Sequence, residues 1–140
     1  MAEVSSEQRS QQRPLSPHLQ IYRPQINMVM SILHRLTGVG LYFGSLLLAW
    51  WLFAAAAGPD YFAFVNGLFT TWLGLIVLVG CTWALIHHML GGIRHFIWDS
   101  GAGLDIPTVD LLSWGTIILS VILTAGLWFY VAFERGWFPL

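Results

Sequence analysis

The sequence has no lysine, a single cysteine and very little charge of either sign. Charged residues fill 9% of its 140 positions, against roughly a quarter in an ordinary soluble domain. All six basic residues are arginine, seven residues are acidic, and the net charge is -1. So few cations cannot neutralise a run of phosphates, which excludes nucleic-acid binding as a main function. The lone Cys81 excludes an intrachain disulfide and any zinc or iron–sulfur site built from several cysteines. Residues 1–12 are rich in Ser, Gln and Glu and have no apolar stretch, so they are not a secretory signal. Glu3 and Glu7 count against a mitochondrial transit peptide, and the segment reads as a disordered or partner-bound tail on the synthesis side. Internal repeats and phosphate-binding glycine loops are missing, and no nucleophile–base pair can be argued.

What is abundant is apolar: 56% of the residues are hydrophobic. A soluble fold of this size could not hide that much apolar surface, and the solvent that tolerates it is lipid. A bilayer crossing needs about 20 apolar residues, and three uncharged stretches qualify. Residues 36–57 form the first, ended by the turn cluster Gly58-Pro59-Asp60. A second lies between Asp60 and Arg94, longer than one crossing needs, so residues 61–69 read as an interfacial lead-in. The third covers residues 111–133 and stops at Glu134-Arg135. Helices are the expected form, because a spanning backbone must satisfy itself. The fold class is therefore all-α, with a segment 1–24 outside the membrane and an anchor domain 25–140 whose spans cover about 30–57, 64–93 and 111–134.

Orientation follows from the arginines. Arg9, Arg13, Arg23 and Arg35 precede the first span and Arg94 closes the second, whereas Arg135 alone lies on the other side. The positive-inside rule puts the N-terminus in the cytoplasm or matrix. Trp50, Trp51, Trp72, Trp98, Trp114, Trp128 and Trp137 mostly fall near span ends, as an aromatic belt does. Gly38, Gly40 and Gly44 form a small-residue stripe in the first span, with Gly40 and Gly44 at helix-contact spacing.

Two clusters of residues carry chemistry. In the run Ser31-Ile32-Leu33-His34-Arg35-Leu36-Thr37-Gly38, helical spacing puts Ser31, His34 and Arg35 on one side. Arg35 by itself reads equally well as a snorkelling topology marker. With Ser31 and His34 beside it, a polar pocket follows, and a hydroxyl donor plus a cation suit a quinone carbonyl or a carboxylate. The second run is His87-His88-Met89-Leu90-Gly91-Gly92-Ile93-Arg94-His95. His88 and His95 share a face about 10 Å apart along the axis, so they cannot clamp one iron between them. Gly92, four residues on from His88, would let a flat macrocycle lie against the helix, and His87 points about 100° away. An ionisable residue inside a span is a functional hypothesis by default, and histidine is a common haem ligand. Spacing alone does not choose among His87, His88 and His95.

Three motifs in order, Arg13-Pro14-Leu15-Ser16-Pro17-His18-Leu19-x-Ile21-Tyr22, then Ser31-Ile32-Leu33-His34-Arg35-x-Thr37-Gly38, then His88-x-x-x-Gly92-Ile93-Arg94-His95-x-x-x-Asp99, resemble the cytochrome b556 subunit family of succinate dehydrogenase. The likeness runs from about residue 13 through the third span, and the first motif looks most like the mitochondrial and alphaproteobacterial branch. The resemblance implies a three-helix membrane anchor that is half of a larger helical bundle. It implies His88 as an axial ligand of haem b, the opposite histidine coming from a second small anchor subunit. It implies Ser31 and Arg35 at a ubiquinone site beside the iron–sulfur subunit, with His34 and Arg35 near the haem propionates. His95 stays a polar helix-end residue, and His18 a structural one that docks the N-terminal segment on soluble subunits. A flavoprotein subunit completes the implied complex, in which this chain is non-catalytic alone and contributes to quinone reduction. The implied location is the bacterial inner membrane, or alternatively the mitochondrial one. A fumarate reductase anchor and a cofactor-free membrane scaffold are the alternatives; a transporter is disfavoured by three spans without repeats or acidic residues inside them.

Overall fold

The computed structural model describes residues 16–137. The tail of residues 1–12, the topology arginines Arg9 and Arg13, and the start of the first motif lie outside the described residues. Among the described residues there is no strand. A single 3₁₀ turn at Pro17–Leu19 precedes four helices, α1 (Ile26–Ala57), α2 (Pro59–Phe69), α3 (Trp72–Asp99) and α4 (Ile106–Glu134). Three of them, α1, α3 and α4, are long and apolar enough to cross a membrane.

The helix boundaries have local causes. Gly58 takes φ 138 and ψ 165, a conformation that favours glycine, and Pro59 then opens α2 at a first-turn position where its missing N–H costs nothing. The structure divides the long stretch after Asp60: α2 ends at Phe69 with Thr70 as its C-cap, and Thr71 caps α3 by accepting from the Gly74 N–H at 3.1 Å. Residues 61–69 thus belong to a separate short helix. Its Tyr61 hydroxyl accepts from Trp50 Nε1 at 2.9 Å, tying it to the end of α1. Helices α3 and α4 end alike. Gly101 (φ 79) and Gly136 (φ 65) take the left-handed conformation after the last turn. The following N–H groups reach back, Ala102 to Ile97 O and Trp137 to Ala132 O, to satisfy carbonyls that would otherwise be orphaned. The carboxylate of Asp105 caps α4, accepting from the Thr108 N–H at 3.1 Å and the Thr108 hydroxyl at 2.8 Å. Those two bonds, the hydroxyl's first, hold the Asp105 carboxyl below the usual carboxylate range.

The helix α2 returns the chain between α1 and α3, and a short connection returns it between α3 and α4, so successive long helices run antiparallel. The start of α1, the end of α3 and the start of α4 therefore share one end of the bundle. α3 packs against both α1 and α4, and α1 also touches α4. The interior is polar and small: Thr37, His87, Arg94, Ser113, Thr116, Ser120 and Thr124 are buried beside Met30, Ala54, Val65, Ala84 and Ala132. The outside carries Leu36, Val39, Phe43, Leu46, Leu85, Ile118 and Phe129, all exposed. Such an inversion is stable only where the surroundings are apolar. The buried hydroxyls tolerate that interior because each bonds its own helix, as Ser113 does to Val109 O at 2.7 Å and Thr124 to Ser120 O at 2.7 Å.

Candidate functional site

The two runs singled out in the sequence meet at the shared end of the bundle. His34 of α1 lies flat on His88 of α3, with ring centroids 3.9 Å apart and planes 7° from parallel. Two close approaches of α1 and α3 make the stack possible. A Cβ at Gly91 would lie 2.5 Å from His34 Nδ1, and one at Gly38 would lie 3.1 Å from His88 Cε1. Each ring thus occupies the space a side chain would take on the facing helix.

The His88 ring is fixed by hydrogen bonds as well. Its Nδ1 is 3.1 Å from the His34 carbonyl oxygen and 3.3 Å from Thr37 Oγ1. A carbonyl can only accept, so Nδ1 carries the proton and Nε2 the lone pair. Nε2 has no partner among the described residues, and it is not one of the enclosed orphan atoms, which are His34 Nδ1, His87 Nε2, Arg94 Nε and Trp128 Nε1. Gly92 is open, with no atom within 4 Å of an added Cβ.

Beside His34 is a recess of about 480 Å³ lined by Asn27, Ser31, His34, Arg35, Arg94, His95, Trp98, Leu104 and Val109. It gathers Ser31, His34 and Arg35, as their spacing suggested, and adds Arg94 and His95 from α3 and no acidic residue. His95 lies 5.4 Å from the His34 ring and 5.3 Å from the Trp98 ring. Electrostatically the recess suits an anionic or carbonyl oxygen. His88 does not line it.

Other residues sit differently from a one-dimensional reading. Arg94 is 3% exposed, donates to Ser113 Oγ at 3.2 Å, and stands 4.9 Å over the Trp98 ring. It is an interior residue rather than a charge among headgroups. His87 is fully buried against α4, with Nδ1 3.2 Å from Ser120 Oγ. The Ser120 hydroxyl gives its own proton to Ile117 O at 2.8 Å, so His87 donates and its enclosed Nε2 cannot reach an external ligand. Of the glycine stripe, Gly44 meets Cys81, where an added Cβ would be 3.3 Å from Sγ, whereas a Cβ added at Gly40 would meet nothing within 4 Å among the described residues. His18 is exposed in the N-terminal turn. Arg94, Thr37 and Gly91 were given no site role by sequence reasoning. For Arg94 a signal existed: His87 and Arg94 are seven apart on α3, as Ser120 and Ser113 are on α4.

A family model described as succinate dehydrogenase/fumarate reductase transmembrane subunit matches residues 9–127. The succinate dehydrogenase cytochrome b556 subunit of Paracoccus denitrificans is 45% identical over 111 residues, covering 79% of this chain and 85% of that one. The subunit of the same name from Rickettsia felis is 42% identical over 116 residues, covering 83% and 90%. The mitochondrial succinate dehydrogenase cytochrome b560 subunit of Mus musculus is 37% identical over 123 residues, covering 84% and 71%.

Proposed function

Because the chain belongs to the succinate dehydrogenase/fumarate reductase transmembrane subunit family, we propose that it is the anchor subunit of a succinate:quinone oxidoreductase that binds haem b and ubiquinone. The observation that carries the haem assignment is the bond from His88 Nδ1–H to the His34 carbonyl at 3.1 Å. Histidines that ligate metals commonly donate their other ring N–H to a carbonyl in this way. The unengaged Nε2 and the open Gly92 beside it fit a flat group on that side of α3, while His87 is enclosed and ill suited. Haem b bound there would supply a one-electron redox centre. His88 would hold its iron from this chain, and a histidine of a second small anchor subunit would supply the second ligand. His34 and Arg35 would hold the propionates, both lining a recess with no acidic residue.

Ser31 and Arg35 form this chain's part of the quinone site. Ser31 is exposed in the recess and donates to a quinone carbonyl, while Arg35 stabilises the negative charge that develops on it. The partners are an iron–sulfur subunit, a flavoprotein subunit and the second anchor. The chain is multi-pass in a bacterial inner membrane, with the recess and the N-terminus on the cytoplasmic side, or in a mitochondrial inner membrane with both on the matrix side. The anchor domain takes in residues 25–140. The family description covers fumarate reductase too, but the relatives named above favour the succinate-oxidising direction.

The test is a reduced-minus-oxidised spectrum of the detergent-purified complex, with dithionite and then with succinate. Sharp b-type bands that succinate also elicits are expected. An intact, stoichiometric complex without haem bands would overturn the haem role.

A further inference from the structure

We propose that Thr37 is the positioning residue for the His88 ring, fixing which ring nitrogen is free and how strongly it donates; this rests on the reading of His88 as an iron ligand. One turn of α1 meets that ring at four points. The His34 carbonyl and Thr37 Oγ1 lie 3.1 and 3.3 Å from Nδ1. The His34 ring covers one face at 3.9 Å. Gly38 supplies the gap into which the Cε1 edge fits. Positions 34, 37 and 38 are spaced three and four apart, so a single helical face carries the whole holder.

Thr37 is 4% exposed, so no bulk water competes for its hydroxyl. Its proton has acceptors on its own helix, Leu33 O at 2.8 Å and His34 O at 3.0 Å. Toward His88 its oxygen therefore accepts. The opposite arrangement, with the hydroxyl donating to a bare Nδ1, would set that lone pair against the His34 carbonyl oxygen at 3.1 Å. Both acceptors thus demand the same tautomer. Acceptors on Nδ1–H also raise the basicity of Nε2 and hold the ring's rotation. The carbonyl cannot be removed by substitution, but the hydroxyl can.

The experiment uses the purified complex with Thr37→Val, nearly the same shape without an acceptor, and Thr37→Ser, which keeps it. Weakening the donor costs ferric iron more stabilisation than ferrous, so Thr37→Val is expected to raise the haem midpoint potential and to alter the low-spin ferric electron paramagnetic resonance signal. Thr37→Ser is expected to keep both at parental values. An unchanged potential and signal in Thr37→Val overturns the proposal. Where Thr37→Val loses haem altogether, Thr37→Ser decides: parental behaviour supports the hydroxyl's role, and an equal loss overturns it. A His88→Ala control separates the two readings. Retention of the parental haem spectrum in that variant sinks the ligand assignment and this inference together. Its loss, alongside an indifferent Thr37→Val, sinks this inference alone.

Discussion

The face of α3 turned to α1 and the face turned to α4 carry adjacent histidines in opposite kinds of surroundings. Toward α1, glycines at 38, 44 and 91 leave room, and rings or a thiol fill it. His88 there is anchored through one nitrogen and free at the other. Toward α4, His87 and Arg94 each meet a serine hydroxyl, His87 wholly enclosed and Arg94 at the wall of the recess. The first arrangement presents a group, and the second locks two helices together. Residue type does not separate them, because both positions are histidine; the packing of the facing helix does.

That contrast can be broken by exchanging the two histidines' fates. His88→Ala should abolish essentially all b-type absorbance, whereas His87→Ala should retain it. A spectrum lost equally in both variants would mean that either face can supply the ligand or that both simply destabilise the bundle. Next in size is the recess. Ser31→Ala and Arg35→Leu should lower quinone reduction toward the ~10²-fold that losing one well-placed donor costs. Succinate oxidation by a soluble dye should be spared, and parallel losses in the two assays would indicate misassembly instead.

Smaller effects test the packing itself. Gly91→Ala puts a methyl against the His34 ring, and overpacking of that kind costs about 1–3 kcal/mol. Reduced haem retention on detergent washing is the readout, and full retention would show that the stack can yield. On the opposite seam, Ser120→Ala removes one interhelical hydrogen bond, worth about 0.6 kcal/mol on average within a membrane. It should lower the thermal unfolding temperature slightly while the haem spectrum stays parental. The smallest effect is expected at the Asp105 cap, outside the membrane. Its carboxyl titrates below the usual range when folded, so its stabilisation is present above the unfolded value and fades as the pH falls through the folded one. The unfolding difference between the parent and Asp105→Ala should therefore shrink in acid, and a pH-independent difference would contradict that cause.

Much of the fold was legible because lipid imposes a one-dimensional rule: an uncharged run of sufficient length must become a helix that satisfies its own backbone. The turn chemistry of Gly58-Pro59 marked a helix end for an equally local reason. The pocket residues Ser31, His34 and Arg35 were legible because they share one helical face. Less accessible was the partnership between helices. The seven-residue spacing of His87 and Arg94 matches that of Ser120 and Ser113, but nothing local says that those two faces meet. The stripe of Gly38, Gly40 and Gly44 suggested close helix packing, and Gly38 and Gly44 face side chains of α3 whereas a Cβ added at Gly40 would meet nothing within 4 Å among the described residues.

The sequence by itself determined that this chain is helical, crosses a membrane three times and concentrates its ionisable residues at one end, since each follows from composition and the period of a single helix. Only the tertiary structure decided which histidine is enclosed and which keeps a ring nitrogen unengaged. The proton on His88 Nδ1 is placed by a carbonyl and a hydroxyl more than fifty residues away, on a helix that comes close enough only because Gly38 and Gly91 leave the space. Tautomer and access depend on neighbours in space, and a single helix's pattern does not contain them.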